Sequence, residues 1–387
     1  MSHLSVVTYN SVNQISSKQW KEFECTSNAY FSPEFLNSFE VSNPNIDFKY
    51  IVVEKNNNAV SIAIIQTIEL SVDVILKNIK LASWIKKLAH SLFCNNVIKI
   101  MTNGNIFLSG EHGLYLKNEI DKIKTIGVIA TEINRIAKNT KPLHAIVLKD
   151  FLNDSLHLTS QFEDYGFTAM HVEPNLILKL DSIWKNFDDY KKGLKSKYRV
   201  KVNKADTSSS SLTARLFTKD DFATYKDELQ TLYENTIANA NFNAQVLNLD
   251  TYIHLREIYH EDFIVKAYFL NGKLVGFLSA LANNNHLDAH FIGLNYSLNR
   301  EHAIYPRILN DYVRIGIEKR VSHINFGRTA SEIKTTIGAI PVDLTCYIKH
   351  KRPFLNSIIR FIIKRVQLKE FKQHYPFKTK KEAIKAS

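Results

Sequence analysis

The sequence predicts an α/β fold made of two similar domains, and three observations carry that prediction. The chain has 387 residues, which is more than one hydrophobic core usually supports. Its hydrophobic content of 45% is typical of a globular protein with packed cores. The same succession of elements, namely a strand hairpin, a further strand, a helix and a strand, occurs once in each half of the chain. We therefore expect two α/β domains of similar topology.

The first copy of this pattern begins with a hairpin at 48–67, where two β-rich runs are joined by an Asn-rich turn. A strand pair around 97–116, a helix over 118–138 and a strand over 142–151 follow. An insertion at 68–96 carries Leu and Ile side chains at helical spacing. This spacing predicts a helix that either packs on its own domain or lies on a membrane surface.

The second copy begins with a hairpin at 263–282, whose two runs are joined by an Asn-Gly turn. A strand over 286–296, a helix over 304–320 and a strand over 322–326 complete it. Ahead of this copy, 181–205 is acidic at its start and basic at its end, which suits the dipole of a single helix. The predicted segments are an N-terminal domain at 1–183, a C-terminal domain at 184–348, and a basic helix and tail at 349–387.

Several classes of protein are excluded by missing signals. The sequence contains no glycine-rich phosphate loop, no dinucleotide fingerprint and no zinc-protease or nucleophile-elbow motif. His286 and His290 flank Asp288, but four residues of strand span about 13 Å, so one ion cannot reach both imidazoles. No metal site is predicted. The three cysteines form no disulfide or metal pattern, and no secretory signal or membrane span is visible, which predicts a cytoplasmic protein.

The net charge of +12 is unevenly distributed. From Lys349 onward, twelve Lys and Arg residues face only two acids, so this segment holds +10 of the total. A second basic cluster, without any acid inside it, lies between Lys191 and Lys204. Clusters of this kind attract phosphate groups from nucleic acid, anionic lipid or a nucleotide-bearing substrate.

A dense polar stretch follows directly from the last predicted strand of the second domain. After the strand and Gly327, the sequence places Arg328, Thr329, Ser331 and Lys334 within eight residues. Ligand sites of open α/β sheets lie beyond the carboxyl ends of strands, so these side chains are candidates for a binding site. The simpler interpretation is an ordinary helix start with a hydroxyl cap, and a helix start is also an anion site.

The order of motifs in the second half resembles the Fem-type branch of acyltransferases with tandem GNAT folds. The resemblance rests on the pattern Tyr190, Leu194, Lys197 and Arg199, the hairpin LNGKLVGFLSAL, the strand HFIGLNYSLN, the helix IYPRILNDYVRIGIEK and the closing INFGRTASEIKTTIGA. It covers about 185–345 and is weaker before that. It implies two GNAT-like domains in tandem, each a mixed, mostly antiparallel twisted sheet flanked by helices.

The resemblance implies an N-acyltransferase that moves an acyl or aminoacyl group to an amine. Acyl-CoA or aminoacyl-tRNA would serve as co-substrate, with no permanently bound cofactor, and cell-envelope or lipid metabolism is the implied setting. The pyrophosphate loop of ordinary acetyl-CoA enzymes contains glycines, whereas the matching stretch NYSLNREHAIYPRIL has none. Two alternatives stay open: a non-catalytic relative that binds a cell-envelope precursor or lipid, and a nonspecific nucleic-acid binder.

Acyl transfer needs a donor aimed at the oxyanion and a base for the amine. We assign the role of hydrogen-bond donor to the oxyanion to Lys334. The base is Asp288 or His290, which share one face of their strand, with Glu332 as a third candidate. The predicted catalytic residues are Lys334, His290 and Asp288, and the predicted substrate-binding residues are Arg328, Thr329, Ser331, Tyr305, Lys197, Arg199 and Asn241.

These assignments each have a simpler alternative. Asp288 and His290 fit satisfied core positions, Tyr305 fits core packing, and Lys197 and Arg199 fit a solvated helix face. Asn241 belongs to a polar loop, which commonly has no ligand. The choice among these interpretations needs the tertiary structure.

The predicted partners follow from the same features. The acceptor would be a small-molecule or lipid-linked substrate, and nucleic acid would enter only if the donor is a tRNA. The segment 353–372 combines apolar side chains at helical spacing with interleaved Lys and Arg, which predicts an amphipathic basic helix. That helix would contact an anionic membrane surface at the inner face or, alternatively, dock on its own domain.

Overall fold

The computed structural model describes residues 4–71, 97–239, 245–363, 365–366, 368 and 370–378. The chain divides into two compact units. Unit 1 comprises Met1–Glu173, Asn241–Leu247 and Asp343–Leu368, and unit 2 comprises Pro174–Ala240, Asn248–Val342 and Lys369–Ser387. The domain boundaries that the sequence predicts at 183 and 348 stay predictions. Residues 72–96, which hold the helix expected in the insertion, and Asn241 lie outside the described residues.

In chain order, the strands are β1 (Leu4–Tyr9), β2 (Asp47–Lys55), β3 (Asn58–Ser71), β4 (Val97–Asn103), β5 (Leu114–Leu116), β6 (Ala145–Leu152), β7 (Thr168–Lys179), β8 (Thr213–Leu216), β9 (Phe263–Leu270), β10 (Lys273–Asn283), β11 (His286–Leu294), β12 (His323–Asn325) and β13 (Ile340–His350). The helices are α1 (Ser17–Phe23), α2 (Pro33–Ser42), α3 (Lys122–Asn139), α4 (Leu156–Thr159), α5 (Phe187–Gly193), α6 (Ser196–Ser208), α7 (Lys219–Asn239), α8 (Asp250–Tyr259), α9 (Tyr296–His302), α10 (Ile304–Glu318), α11 (Ser331–Thr336) and α12 (Pro353–Ile363).

Each unit contains a sheet with the same pattern of strand directions. In unit 1 the order is β1-β2-β3-β4-β6-β13, and β5 pairs with β3. Among the pairs described, β4 and β6 are parallel and the others are antiparallel. In unit 2 the order is β8-β9-β10-β11-β12-β7, with β11 and β12 parallel. Both sheets are therefore mixed and mostly antiparallel, as the sequence predicts.

Both predicted hairpins form, and their turns explain why. Asn271 and Gly272 have φ values of 51° and 76°, and Asn56 and Asn57 have values of 53° and 63°. Positive φ at both central residues gives a turn whose twist matches the flanking strands. Asn and Gly adopt this backbone conformation more readily than other residues. The hairpin registers are therefore encoded locally.

Amphipathic helices build the core of each unit. The buried side of α10 includes Ile308 and Tyr312, which belong to the same hydrophobic cluster as Leu287 of β11 and Ile324 of β12. In unit 1, the buried side chains of α3 cluster in the same way with β2, β3, β4 and β6. Burying each large apolar side chain stabilises the fold by about 1.5–3 kcal/mol. The helix-strand alternation seen in the sequence is thus the pattern that fills both cores.

A buried carboxylate anchors α10 in unit 2. Asp311 is fully buried and accepts a hydrogen bond from the hydroxyl of Tyr268 at 2.9 Å. It also lies 3.0 Å from the ammonium of Lys266 and 2.6 Å from the guanidinium of Arg314. Removing one partner of such a buried pair costs about 3–5 kcal/mol. This network fixes α10 against β9 and therefore helps to position β11 and β12.

The prediction of one basic helix over 181–205 is wrong. The structure has two helices, α5 and α6, because Leu194 is extended and pairs with Phe377 as an isolated β-bridge. The N–H of Lys195 donates to Pro376 O at 2.8 Å, and the N–H of Lys378 donates to Gly193 O at 3.0 Å. We call residues 370–378 the C-terminal strap. The strap supplies the backbone partners that interrupt the helix, and no local pattern indicates this.

The basic segment 353–372 is helical only in its first part. α12 ends at Ile363, and the strap is extended instead of helical. Within the described residues, no helix is both long enough and apolar enough to cross a bilayer.

Candidate functional site

The parallel strands β11 and β12 separate beyond a short paired region in unit 2. They pair over three positions, from His286 with His323 to Asp288 with Asn325. The chain after β12 continues the pairing of β12 with β7, because Phe326 N donates to Leu176 O at 2.8 Å and Gly327 O accepts from Leu176 N at 3.0 Å, whereas the pairing with β11 ends at Asn325. The carboxyl-terminal part of β11 thus diverges from β12. An opening at the carboxyl ends of parallel strands is where α/β proteins bind ligands.

The loop that leaves β12 has a strained backbone. Gly327, Thr329 and Ala330 have φ values of 64°, 65° and 48°. Positive φ is unusual for Ala and still more so for Thr, whose branched Cβ crowds the backbone. Each such residue costs of the order of 1–3 kcal/mol and persists only where its surroundings enforce it. We call residues 327–330 the strained loop.

The buried side chain of Lys334 binds backbone carbonyls in and beside the strained loop. Its side chain is 6% exposed, and its ammonium donates to Phe326 O at 2.8 Å and to Arg328 O at 2.6 Å. These two bonds give the buried cation polar partners and fix the loop. In this conformation the ammonium is directed at backbone carbonyls, so its role as an oxyanion donor stays a prediction.

Asn325 connects the strained loop to Asp288. Its side-chain Nδ2 donates to Asp288 Oδ1 at 3.0 Å, and its side-chain Oδ1 accepts from Gly327 N at 3.0 Å. Asp288 itself is 4% exposed. Because one side chain makes both bonds, a displacement of the loop would be transmitted to the carboxylate. The predicted site residues Asp288 and Lys334 therefore act on the same loop from its two sides.

Asp288 pairs with His286 on its own strand, and the role predicted for His290 stays a prediction. His286 Nε2 lies 3.0 Å from Asp288 Oδ2, and this hydrogen bond raises the pKa of His286. The His286 ring stacks on His323 of β12, with ring centroids 5.0 Å apart. Burial lowers the pKa of His323, and the neighbouring His286 lowers it further. His290 lies instead near Phe263, with ring centroids 6.2 Å apart.

A β-bulge in β11 lies next to this cluster. The pairing with β10 shifts between Leu278 and Ala280, so β11 carries one extra residue there. Ser279 Oγ satisfies the unpaired backbone of Phe291, accepting from its N–H and donating to its carbonyl, both at 2.9 Å. Bulges redirect side chains and are common beside active sites. The bulge changes the direction of the side chains in the part of β11 beyond its pairing with β12.

Tyr305 lies at the start of α10, where the sequence has no glycine-rich loop. A short helix, α9, occupies this place, and Ala303 connects it to α10 with a φ of 46°. The N–H of Tyr305 donates to Asn299 Oδ1 at 2.8 Å, and the N–H of Arg307 donates to Ala303 O at 2.9 Å. Pro306 has no N–H. Burial raises the pKa of Tyr305. The first turn of α10 therefore has little to offer a diphosphate.

The strap joins the basic helix α6 to α11. His374 Nδ1 lies 3.2 Å from the hydroxyl of Tyr198 on α6, and its Nε2 lies 3.3 Å from Glu332 Oε1 on α11. The N–H of His374 donates to Thr335 Oγ1 at 3.1 Å. Lys197, adjacent to Tyr198, is exposed, and Arg199 is half-buried. The strap thus brings the basic face of α6 towards the helix that follows the strained loop.

The structure gathers part of the predicted set in one place. Arg328, Thr329, Ser331 and Lys334 share the loop and α11, and Asn325 links them to Asp288. Arg328 and Ser331 are half-buried, whereas Thr329 is exposed. Lys197 and Arg199 flank Tyr198, which contacts His374 of the strap, and the prediction for Asn241 lies outside the described residues. The roles of all of these residues stay predictions.

Four residues of this network were missed by the sequence reasoning, namely His286, His323, Asn325 and His374. The HLDAH and HIN stretches contain the first three. A signal was available, since aligning the two parallel strands in register places one histidine beside the other. His374 gave no such signal because its contacts lie far away in sequence.

Metal ligation adds no second site among the residues that the structure describes. In these ranges, no group of three or more His, Cys, Asp or Glu side chains is placed to hold a metal ion. A cavity of about 590 Å³ in unit 1 is lined by Lys18, Lys21, Lys55, Lys117 and neighbouring residues. Its charges are paired, as in the 2.6 Å contact between Lys117 and Glu24.

The comparisons with known proteins show the fold. No protein-family model and no curated protein matches the chain. Among solved structures, a tandem GNAT protein from the clavulanic acid biosynthesis pathway, determined without AcCoA, has a TM-score of 0.55 at 9% identity, covering 91% of this chain and 99% of that one. FemX has a TM-score of 0.55 at 10% identity, covering 92% and 100%.

A third similar structure is the C-terminal DUF2156 domain of a putative lysylphosphatidylglycerol synthetase from Agrobacterium fabrum. It has a TM-score of 0.51 at 7% identity, covering 92% of this chain and 97% of that one. The chain therefore has the tandem GNAT fold of the Fem-type acyltransferases, and the predicted fold class and resemblance are confirmed. At these identities the likeness concerns the fold and not the reaction.

Proposed function

We propose that this protein is an N-acyltransferase that moves an acyl or aminoacyl group to an amine acceptor. The observation that carries this proposal is the end of the β11–β12 pairing, bordered by the strained loop, Lys334 and the buried Asp288. Strained backbone, a buried cation and a buried carboxylate at one strand end are features expected of a catalytic site. The fold shared with FemX and the tandem GNAT protein supports the same class.

The proposed chemistry uses groups that are already close together. The amine nitrogen attacks the acyl carbonyl, a tetrahedral oxyanion forms, and the leaving group departs as a thiol or a hydroxyl. Either Asp288, which is hydrogen-bonded to His286, or His290 would take the proton from the amine. That proton would then pass to the leaving group as it departs. Lys334 or the N–H groups of the strained loop would stabilise the oxyanion. One such donor lowers the activation free energy by about 2.7–4 kcal/mol.

The donor that we propose is an aminoacyl-tRNA, with an acyl-CoA bound in a different manner as the second candidate. Helix α9 and the engaged N–H groups of Tyr305 and Arg307 support this choice, because a CoA diphosphate needs free backbone donors. Lys197 and Arg199 of α6, and Arg328 beside the strained loop, would contact donor phosphates by charge. No permanently bound cofactor is proposed.

The acceptor that we propose is a small-molecule or lipid-linked amine from cell-envelope or lipid metabolism. Nucleic acid would take part only as the tRNA of the donor. Localisation in the cytoplasm, with peripheral contact to the inner membrane face, remains part of this proposal.

A transfer assay tests the proposal directly. Full-length protein is incubated with radiolabelled aminoacyl-tRNA or acyl-CoA and with amine acceptors, including lipid-linked ones, and label in the acceptor is measured. We expect transfer from aminoacyl-tRNA and a loss of about 10²–10³ in kcat for Lys334→Ala. Circular dichroism checks that the variant is folded. Unchanged product formation by folded Lys334→Ala would contradict the catalytic assignment.

The alternative function is a non-catalytic protein that binds a cell-envelope precursor or lipid. The bonds from Lys334 to two loop carbonyls favour this alternative, because they give the cation a structural use. Saturable binding of the acceptor without transfer from any donor would support it. Mass spectrometry of ligands that co-purify with the protein would identify what is bound in either case.

A further inference from the structure

Helix α12 in unit 1 exposes a row of large apolar side chains. Phe354, Ile358 and Phe361 are 78%, 43% and 59% exposed. They recur at i, i+4 and i+7, so they project from one face of the helix. Soluble surfaces rarely expose contiguous apolar groups of this size without a binding role. We call this set the apolar row.

The orientation of the apolar row is fixed by contacts on the other side of α12. Asn356 donates from its amide to Gly166 O at 2.9 Å and accepts from His350 N at 2.8 Å. Ile363, at the end of the helix, is buried. At about 100° per residue, Asn356 lies nearly opposite Phe354. The helix is therefore anchored to unit 1 through its polar side, and the apolar row points away from that anchor.

Positive charge flanks the apolar row along the sequence, and acids are missing from its sequence neighbourhood. Between Asp343 and Glu370 the sequence has seven Lys and Arg residues and no Asp or Glu. Arg352 and Arg360 are exposed, and the Arg365 guanidinium lies 3.4 Å from the centroid of the Phe361 ring. A guanidinium stacked on an aromatic ring at the rim of an apolar face is suited to an interfacial position.

We propose that the apolar row docks on an anionic lipid bilayer surface. Phe354, Ile358 and Phe361 would enter the boundary between headgroups and acyl chains, and the arginines would contact the anionic headgroups. A bilayer offers both an apolar interior and negative charge, whereas two copies of α12 would repel each other. The inference goes beyond the acyl-transfer reaction and does not depend on it.

Vesicle binding by the full-length protein tests this inference. Sedimentation compares phosphatidylcholine vesicles with vesicles containing about 30% phosphatidylglycerol at about 0.15 M salt. We expect binding to the anionic vesicles, at least tenfold weaker binding for Phe354→Ser/Phe361→Ser, and about fivefold weaker binding for Arg360→Ala. The matched control is Ile123→Ser, which removes a residue 52% exposed on α3 of the same unit. Its binding should equal that of the parent protein.

A second measurement separates insertion from simple charge attraction. In Phe354→Trp, brominated lipid should quench the added tryptophan fluorescence relative to the parent protein, because the side chain would enter the acyl region. Binding that is equally strong for the double Ser variant would overturn the inference. So would a lowered unfolding temperature of that variant without lipid, which would mean that another part of this chain covers the row, or a change in its mass in solution, which would mean that a second copy does. Retention on nucleic acid in place of vesicles would also overturn it.

Discussion

The parallel strand pair of unit 1 and that of unit 2 end in opposite ways. In unit 1 the segment after β4 folds back into the space beside β6. The Asn103 amide donates to Ile64 O at 3.0 Å and to Gly113 O at 2.7 Å, and Lys149 donates to Asn105 O and Leu108 O at 2.7 and 2.8 Å. In unit 2 the chain after β12 stays bonded to β7, and its pairing with β11 ends.

This difference favours unit 2 as the place of the proposed site. Both units use a lysine ammonium to hold two loop carbonyls, so the device itself is structural in origin. Gly104 and Gly113 approach so closely that a Cβ on Gly113 would lie 2.6 Å from Gly104 N, which closes the strand end in unit 1. Unit 2 instead has strained, charged residues there. The same fold thus serves as a filled scaffold in one unit and as a candidate site in the other.

The largest expected effect on stability comes from a substitution at Gly338, which follows α11 in unit 2. It has a φ of 103°, and an added Cβ would overlap the ring of Phe377 in the strap. We expect Gly338→Ala to lower the free energy of unfolding by about 3 kcal/mol or more, measured by urea denaturation. Gly272→Ala is the control, since the φ of Gly272 is 76° and an added Cβ there would have no heavy atom within 4 Å. It should cost about 1–2 kcal/mol. Equal losses would show that the strap does not constrain this position.

The two lysines test the comparison most directly. Lys149→Met and Lys334→Met each leave two loop carbonyls without their donor, and we expect each to cost about 2–3 kcal/mol of unfolding free energy. The transfer assay should separate them, with activity lost in Lys334→Met and retained in folded Lys149→Met. A loss of activity in both variants would place part of the function in unit 1.

The strained loop should show a trade between stability and activity. Replacing Thr329 with Gly removes the branched Cβ at a φ of 65°. We expect a gain of about 0.5–1 kcal/mol in unfolding free energy, because strain relief exceeds the entropy cost of glycine. Transfer should fall, since the loop becomes less ordered. A more stable variant with full activity would mean that the strain has no functional role.

The smallest expected effect is the pH dependence of the unfolding free energy that comes from the His286 and Asp288 pair. Because the hydrogen bond raises the pKa of His286 in the folded state, its stabilisation is complete below the unfolded pKa of about 6.5. It is lost as the pH rises through the raised folded pKa. His323, whose pKa shifts downward, acts in the opposite direction. The comparison is therefore made between His323→Phe and His286→Gln/His323→Phe by urea denaturation.

The stability difference between these two variants should be largest near pH 6 and should shrink towards pH 8.5. A difference that does not change with pH would mean that Asp288 and His286 do not share a proton-dependent bond. Any effect on transfer that follows the same pH curve would link this pair to the proposed base.

The sequence by itself determined the fold class, both hairpins, the helices α3 and α10, and the polar loop after β12. These features depend on apolar periodicity, on Asn and Gly in turns, and on residues within a few positions of one another. The tertiary structure alone decided that Lys334 holds its own loop, that Asp288 pairs with His286, and that the strap divides the basic helix. The strap contact joins residues far apart in the chain, Leu194 and Phe377, whereas the other two contacts join residues two to eight positions apart whose side-chain directions depend on the surrounding packing. Their formation depends on the pairing of strands that are not neighbours in the sequence and on chain closure, which no local pattern encodes.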